Sequence, residues 1–173
     1  MRIVILAGGE GRRIGGGKPQ RMLGGISLLD RALAFARVWS AEVLIADGAT
    51  DVPEIEGPLG AVAAALALGE DLLTIPCDMP FLPDDLPERL DRTHAAAALA
   101  ESGGRLHPVC ALWRARAADD LAAYAGSGRR SLHGFAEAVG YEAVGWDADP
   151  IDPFFNVNDE ADLARAEALL KSR

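Results

Sequence analysis

No stretch of this chain approaches the roughly 20 consecutive apolar residues that a membrane-spanning helix requires. The opening Met1-Arg-Ile-Val-Ile-Leu6 runs into glycines too soon to act as a signal peptide. A cytoplasmic location is therefore expected. Cysteine is scarce: Cys77 and Cys110 are far apart and lack metal-type spacing, so they read as buried reduced thiols. Positive charge is in deficit, and a net charge of -9 argues against nucleic acid or an anionic membrane as partner. Neither an internal repeat nor a low-complexity linker interrupts the 173 residues, which suit a single domain spanning 1–173 with an ordinary core.

Against that acidic background, Arg2, Arg12, Arg13, Lys18 and Arg21 face only Glu10 within the first 25 residues. A basic loop beside the first strand suggests a small polyanion such as a triphosphate. Lysine itself is nearly absent, since Lys18 and Lys171 are the only two among 17 basic residues. A lone loop lysine in an arginine-using chain hints that a compact ammonium is wanted there.

Apolar runs at Arg2–Leu6, Val43–Ala46 and Asp71–Ile75 read as strands. They alternate with helical patterns from Ser27, read as the N-cap, to Trp39 and over Leu59–Leu68. Further on, helices are expected over Asp84–Thr93, Ala117–Ala125, Ser131–Val139 and Asp159–Leu170. Strands are expected over Ala97–Ala100, Val109–Trp113 and Tyr141–Trp146. The alternation implies an α/β fold, a Rossmann-like open, mostly parallel sheet covered by helices. In such sheets ligands bind beyond the carboxyl ends of the strands, here Ala7–Gly9, Ala46–Gly48 and Pro76–Asp78.

The first of these loops, Leu6-Ala-Gly-Gly-Glu-Gly-Arg-Arg-Ile-Gly-Gly-Gly-Lys18, can wrap phosphate oxygens with backbone N–H groups. A dinucleotide G-x-G-x-x-G is disfavoured because Ile14 holds the last position, and a Walker loop because Pro19 follows Lys18. A solvated Gly-rich turn is the plain alternative. In Pro76-Cys-Asp-Met-Pro-Phe-Leu-Pro83, Asp78 at a strand end is placed to ligate Mg²⁺ on a triphosphate, which needs only one or two carboxylates. Helix capping is the competing reading for Asp78, although Asp84 or Asp85 is better placed for it. Cys77 beside an aspartate would have its thiol pKa raised, which fits packing rather than attack. In Phe154-Phe-Asn-Val-Asn-Asp-Glu-Ala-Asp-Leu163, Asn158 alone reads equally as an N-cap, while Asn156 in an extended segment would point the same way. His94 and His133 have no motif around them and read as structural.

The first loop resembles the L-A-G-G-x-x-x-R-x-G-x-x-K signature of nucleotidyltransferases. Together with the C-D-x-P-F strand end, Gly57-Pro-Leu-Gly-Ala61, Leu106-His107-Pro108, Gly126-Ser-Gly-Arg-Arg-Ser131 and the F-x-N-V-N segment, the order resembles molybdenum cofactor guanylyltransferases from Arg2 to about Leu169. The resemblance implies transfer of GMP from GTP to the terminal phosphate of molybdopterin, with release of pyrophosphate. It further implies Mg²⁺ on Asp78, charge relief by Lys18 and Arg13, and nucleotide held at Leu6, Ala7, Gly8 and Gly9. Gly8, where cytidylyl relatives have alanine, favours GTP over CTP. Ala46 stands where the family has an asparagine, and Asp51 is the closest match to a further family aspartate. His107, Arg129 and Arg130 would face the pterin phosphate, with Asn156 and Asn158 holding the metal's water shell or the substrate. Partners implied are GTP, molybdopterin and, transiently, cofactor-delivery or molybdoenzyme-maturation proteins. Competing readings are a cytidylyl relative, another phosphate acceptor, or a non-catalytic nucleotide- or pterin-binding module.

Overall fold

A computed structural model describes residues 1–8, 17–47, 55 and 57–171. Strand β1 (Arg2–Leu6) buries Ile3, Val4, Ile5 and Leu6 on both faces, as a central strand in a helix-covered sheet demands. It pairs in parallel with β4 (Val43–Ala46) on one side and β5 (Leu72–Pro76) on the other. Beyond β5 lie β7 (Arg105–Trp113), β6 (Ala97–Ser102) and β8 (Tyr141–Trp146), giving a six-stranded sheet in the order β4-β1-β5-β7-β6-β8. Only β7 runs antiparallel to its neighbours, and this reversal has a consequence for function. The start of β7 lies at the same edge as the carboxyl ends of the other strands.

Helices cover both faces. On one, α2 (Pro58–Leu66), α4 (Ala118–Gly126) and α5 (Leu132–Val139) pack on Val4, Leu6, Leu99 and Trp113, and Trp113 stacks on Phe135 at 5.4 Å. On the other, α1 (Leu28–Trp39) and α3 (Leu86–Asp91) cover Ile3, Ile5, Leu73 and Ile75, and Phe154 joins them. A third cluster, Leu23, Leu28, Phe81, Val157 and Ala166, gathers the β2–β3 hairpin (Met22–Leu23 and Ile26–Ser27) and α6 (Glu160–Lys171). It holds the C-terminal segment against the end of β5, where Val157 N–H donates to the Asp78 carbonyl at 2.9 Å.

Ser27 and Ser131 cap α1 and α5 as their positions suggest, accepting from Asp30 N and Gly134 N. Three local expectations are corrected. Asp85 stands at the start of α3 but makes no capping bond, because its carboxylate accepts from Trp146 Nε1 at 2.9 Å. The cap of α6 is Asp159, which accepts from Asp162 N at 2.8 Å, so the Asn158 side chain is released for other work. Strand β7 begins at Arg105 rather than Val109. A register shift pairs Leu99 with Ala111 but Ala100 with His107, and Pro108 sits in the irregularity, where its missing N–H costs no ladder bond.

At the opposite edge of the sheet, Arg114 Nη1 bonds Asp71 at 2.9 Å and Asp91 at 2.8 Å, while its Nη2 donates to the carbonyls of Asp91 and Thr93. Arg114→Ala strands two carboxylates and is expected to cost about 2–3 kcal/mol for a partly buried network, lowering Tm by about 5–10 °C. Burial of Asp71 works to raise its pKa, but the Ala115 N–H and the Arg114 guanidinium outweigh it and hold the carboxyl below its ordinary value. A depressed folded pKa contributes stability above the unfolded pKa and loses it as pH falls through the folded one. Melting curves recorded on acidification below about pH 4 should therefore fall more steeply for wild type than for Arg114→Ala.

Candidate active site

Two backbone bonds align the strand ends. Ala7 N–H donates to the Ala46 carbonyl at 2.8 Å, and Cys77 N–H to the Leu6 carbonyl at 3.2 Å. Leu6, Ala7 and Ala46 are buried, whereas Gly8 is exposed at the open edge. Cys77, next in line after β5, is buried as well. Burial, reinforced by the adjacent Asp78 charge, pushes its thiol up to about 12, so it is a packing residue and no nucleophile.

Asp78 follows, and Lys18 has come to it. The short 3₁₀ turn Lys18–Gln20 starts from Gly17, whose φ of 59° is left-handed backbone that glycine adopts freely, and Pro19 fixes the first turn. Lys18 Nζ lies 2.5 Å from Asp78 Oδ2, with both side chains under one-fifth exposed. The same ammonium donates to Asn158 Oδ1 at 3.4 Å. Thus a lysine, an aspartate and an asparagine from positions 18, 78 and 158 meet beyond the sheet edge. Two oxygens near this junction are left over: Asp78 Oδ1 and Asn156 Oδ1 are buried and have no hydrogen-bond partner among the described residues. Buried acceptors of this kind are costly unless something satisfies them. Among the described residues no group of three or more His, Cys, Asp or Glu could hold a metal ion alone. A cation at Asp78 would have to share its ligands with a phosphate.

Beside this junction opens a cavity of about 250 Å³ lined by Arg105, His107, Asp152, Phe154, Asn156 and Asn158, among others. Asn156 and Asn158 do face one space, as their spacing in an extended segment implies. His107 stacks on Phe154 at 4.8 Å, and its Nε2 lies 2.8 Å from Ser102 Oγ. Ser102 Oγ in turn donates to Asp152 Oδ1 at 2.8 Å. Burial lowers the His107 pKa, against the pull of the Asp152 charge. Ser102, Arg105 and Asp152 escaped the sequence reading. Ser102 and His107 meet as diagonal neighbours across a shifted antiparallel pair, and no local motif marks such a meeting.

Arg129 and Arg130 sit at the α4–α5 turn, in the layer packed on the other face of the sheet from His107. The Arg129 guanidinium stacks on Tyr124 at 4.7 Å, and Arg130 Nη1 donates to the Ala125 carbonyl at 2.7 Å. Neither lines the cavity. Gly9, Arg13 and Asp51 lie outside the described residues.

Parallel strands β4, β1 and β5 end side by side at this edge, Asp78 and its partner Lys18 stand just past β5, and open α/β sheets bind their ligands at such an edge. The MobA-like NTP transferase domain model matches residues 3–139, and the chain belongs to that family of nucleotidyltransferases. Molybdenum cofactor guanylyltransferase from Acidiphilium cryptum is 41% identical over 189 residues, covering 97% of this chain and 94% of the relative. The protein of the same name from Cereibacter sphaeroides is 40% identical, covering 97% and 96%. Among solved structures, molybdopterin-guanine dinucleotide biosynthesis protein A from Archaeoglobus fulgidus superposes with a TM-score of 0.75 at 24% identity, covering both chains in full. 2-C-methyl-D-erythritol 4-phosphate cytidylyltransferase from Thermus thermophilus gives 0.67 at 21% identity over 99% of this chain and 98% of its own. The fold is therefore shared by enzymes of different base preference. No helix among the described residues is long and apolar enough to cross a membrane.

Proposed function

We propose that this chain transfers GMP from GTP to the terminal phosphate of molybdopterin, forming the dinucleotide cofactor and pyrophosphate. The observation that carries the reading is the Lys18–Asp78 contact at 2.5 Å with Asp78 Oδ1 left without a partner. The sequence relatives, with their near-complete coverage, support the choice of reaction. Gly8 supports the choice of base, since a methyl there would crowd a purine.

The attacking group is a phosphate oxygen of the acceptor, already ionised at neutral pH, so no general base is required. It bonds to the α-phosphorus of GTP, the bond from that phosphorus to the bridging oxygen breaks, and the electron pair leaves on pyrophosphate. Alignment and charge neutralisation are then the protein's whole contribution. The free Asp78 oxygen fits Mg²⁺, which when bound to the triphosphate would neutralise its oxygens and favour in-line displacement. Asp78 holds that side of the nucleotide, and the backbone from Leu6 to Gly9 wraps its phosphates. Lys18, released from Asp78, turns to the pyrophosphate oxygens, where Arg13 joins it. Asn158, which loses its Lys18 contact in the exchange, is free to meet substrate. The reading goes with a cytoplasmic location and with delivery or maturation proteins as transient partners.

The test is to incubate the protein with Mg²⁺, molybdopterin and each nucleoside triphosphate separately, measuring pyrophosphate and dinucleotide. Turnover with GTP alone is the expected result. Turnover with CTP in its place sinks the guanylyl reading, and none with any triphosphate sinks the enzymatic one.

A further inference from the structure

Ser102, His107 and Asp152 form a chain of hydrogen bonds whose direction is fixed by chemistry. An ionised carboxylate only accepts, so the single Ser102 hydroxyl proton goes to Asp152 Oδ1 at 2.8 Å. Ser102 Oγ must then accept from His107, which places the ring proton on Nε2, 2.8 Å away. Asp152 is itself held in place, since its Oδ1 also accepts from Phe154 N–H at 2.9 Å. The ring is pinned further by its stack on Phe154, and Phe154 is clasped edge-on by Trp146 at 5.3 Å. Among the described residues the other ring nitrogen, Nδ1, has no hydrogen-bond partner, and the ring lines the cavity.

We propose that Ser102 and Asp152 are positioning residues that present His107 Nδ1 to the cavity as a fixed hydrogen-bond acceptor, which recognises an N–H of the acceptor substrate's heterocycle. A phosphate oxygen offers no proton to a bare nitrogen, so this geometry assigns His107 to the ring of the substrate and leaves its phosphate to other groups. Two neighbours give the cavity the same polarity: Asn156 Oδ1 lacks a donor among the described residues and the Asp152 carboxylate lines the space, while Arg105 brings a cation to it. A heterocycle edge with adjacent N–H donors and one carbonyl, as in an aminopyrimidinone, meets each of them. Burial, which lowers the pKa of His107, keeps the ring neutral and so consistent with that role.

The inference rests on the acceptor proposed above, and two measurements separate the two. In full-length protein labelled with ¹⁵N-histidine, long-range ¹H–¹⁵N correlation near neutral pH should show His107 protonated on Nε2 and bare on Nδ1. Addition of the stable pterin neopterin should shift Nδ1. Ser102→Ala should let both tautomers appear, a change that loss of packing alone would not produce. In the transfer assay, His107→Gln keeps a donor for Ser102 but has no atom at Nδ1. It should raise the KM for molybdopterin about tenfold, as loss of one buried hydrogen bond does, and leave the KM for GTP unchanged. A His107 protonated on Nδ1, an Nδ1 indifferent to neopterin, or an unchanged molybdopterin KM in His107→Gln overturns the inference. Wild type that forms no dinucleotide overturns the proposed function alone, because the tautomer and the neopterin titration still decide the role of His107.

Discussion

Asp78→Asn is expected to lower kcat/KM for guanylyl transfer by on the order of 10³-fold or more, while the protein still folds. The substitution changes almost nothing in shape. The amide keeps an oxygen where Oδ1 lies, and the Asp78 carbonyl still accepts from Val157 N–H, so the C-terminal segment stays against β5. What is lost is one negative charge at the carboxyl edge of the sheet, just past β5. The carboxylate oxygen that would share a cation with the triphosphate becomes a neutral amide oxygen, a far weaker ligand for a hard divalent ion. Lys18 also loses its 2.5 Å counter-charge, but with about one-sixth of its side chain exposed it can turn toward solvent. The stability cost should therefore stay at about 2–3 kcal/mol, as for a mostly buried pair whose lysine can reach water. Initial rates at saturating Mg²⁺ and a melting curve on the same preparation check both halves. A variant retaining more than a tenth of wild-type activity would remove Asp78 from the chemistry, and one that fails to fold would recast it as structural.

How far the site could be read in the sequence depends on how local each part is. Strand β1 was plain, because a run buried on both faces can only be apolar, and the caps at Ser27 and Ser131 follow from a hydroxyl meeting an N–H three residues on. The Lys18–Asp78 meeting was legible for a different reason. Both flank strands that the alternation of elements places side by side, so topology alone brings their loops together. Asn158 was ambiguous because two adjacent residues, Asn158 and Asp159, can each cap α6, and only the geometry shows that Asp159 does so. The start of β7 was missed because Pro108 argues against a strand, and the register shift that excuses it depends on β6. Ser102 and Asp152 lay furthest out of reach. Their bond spans 50 positions and joins a strand to an irregular segment, with neither periodicity nor motif to announce it.

Lys18→Met should lower kcat by about 10²–10³-fold, the size of losing one charge-stabilising donor at the transition state, with a smaller rise in the KM for GTP. The asymmetry follows from where the ammonium is needed. It bonds Asp78 and Asn158, so binding GTP exchanges one set of contacts for another with little net gain. As the α-phosphorus bond breaks, negative charge grows on the departing pyrophosphate, and a contact that strengthens only then appears in kcat. Lys18→Arg should recover part of the rate at most, since a planar guanidinium cannot take the place of a compact ammonium between Asp78 and Asn158. A second consequence runs the other way. Lys18 occupies Asp78 Oδ2, so its removal takes away a competitor for a cation. Titration with Mg²⁺ alone should show tighter binding to Lys18→Met than to wild type, although the variant turns over more slowly. The two residues touch, so the double variant Lys18→Met/Asp78→Asn should be little slower than Asp78→Asn alone. Losses that multiply in full would mean that lysine and aspartate act on separate steps, and Mg²⁺ binding no tighter in Lys18→Met would mean that the pair does not guard the metal position.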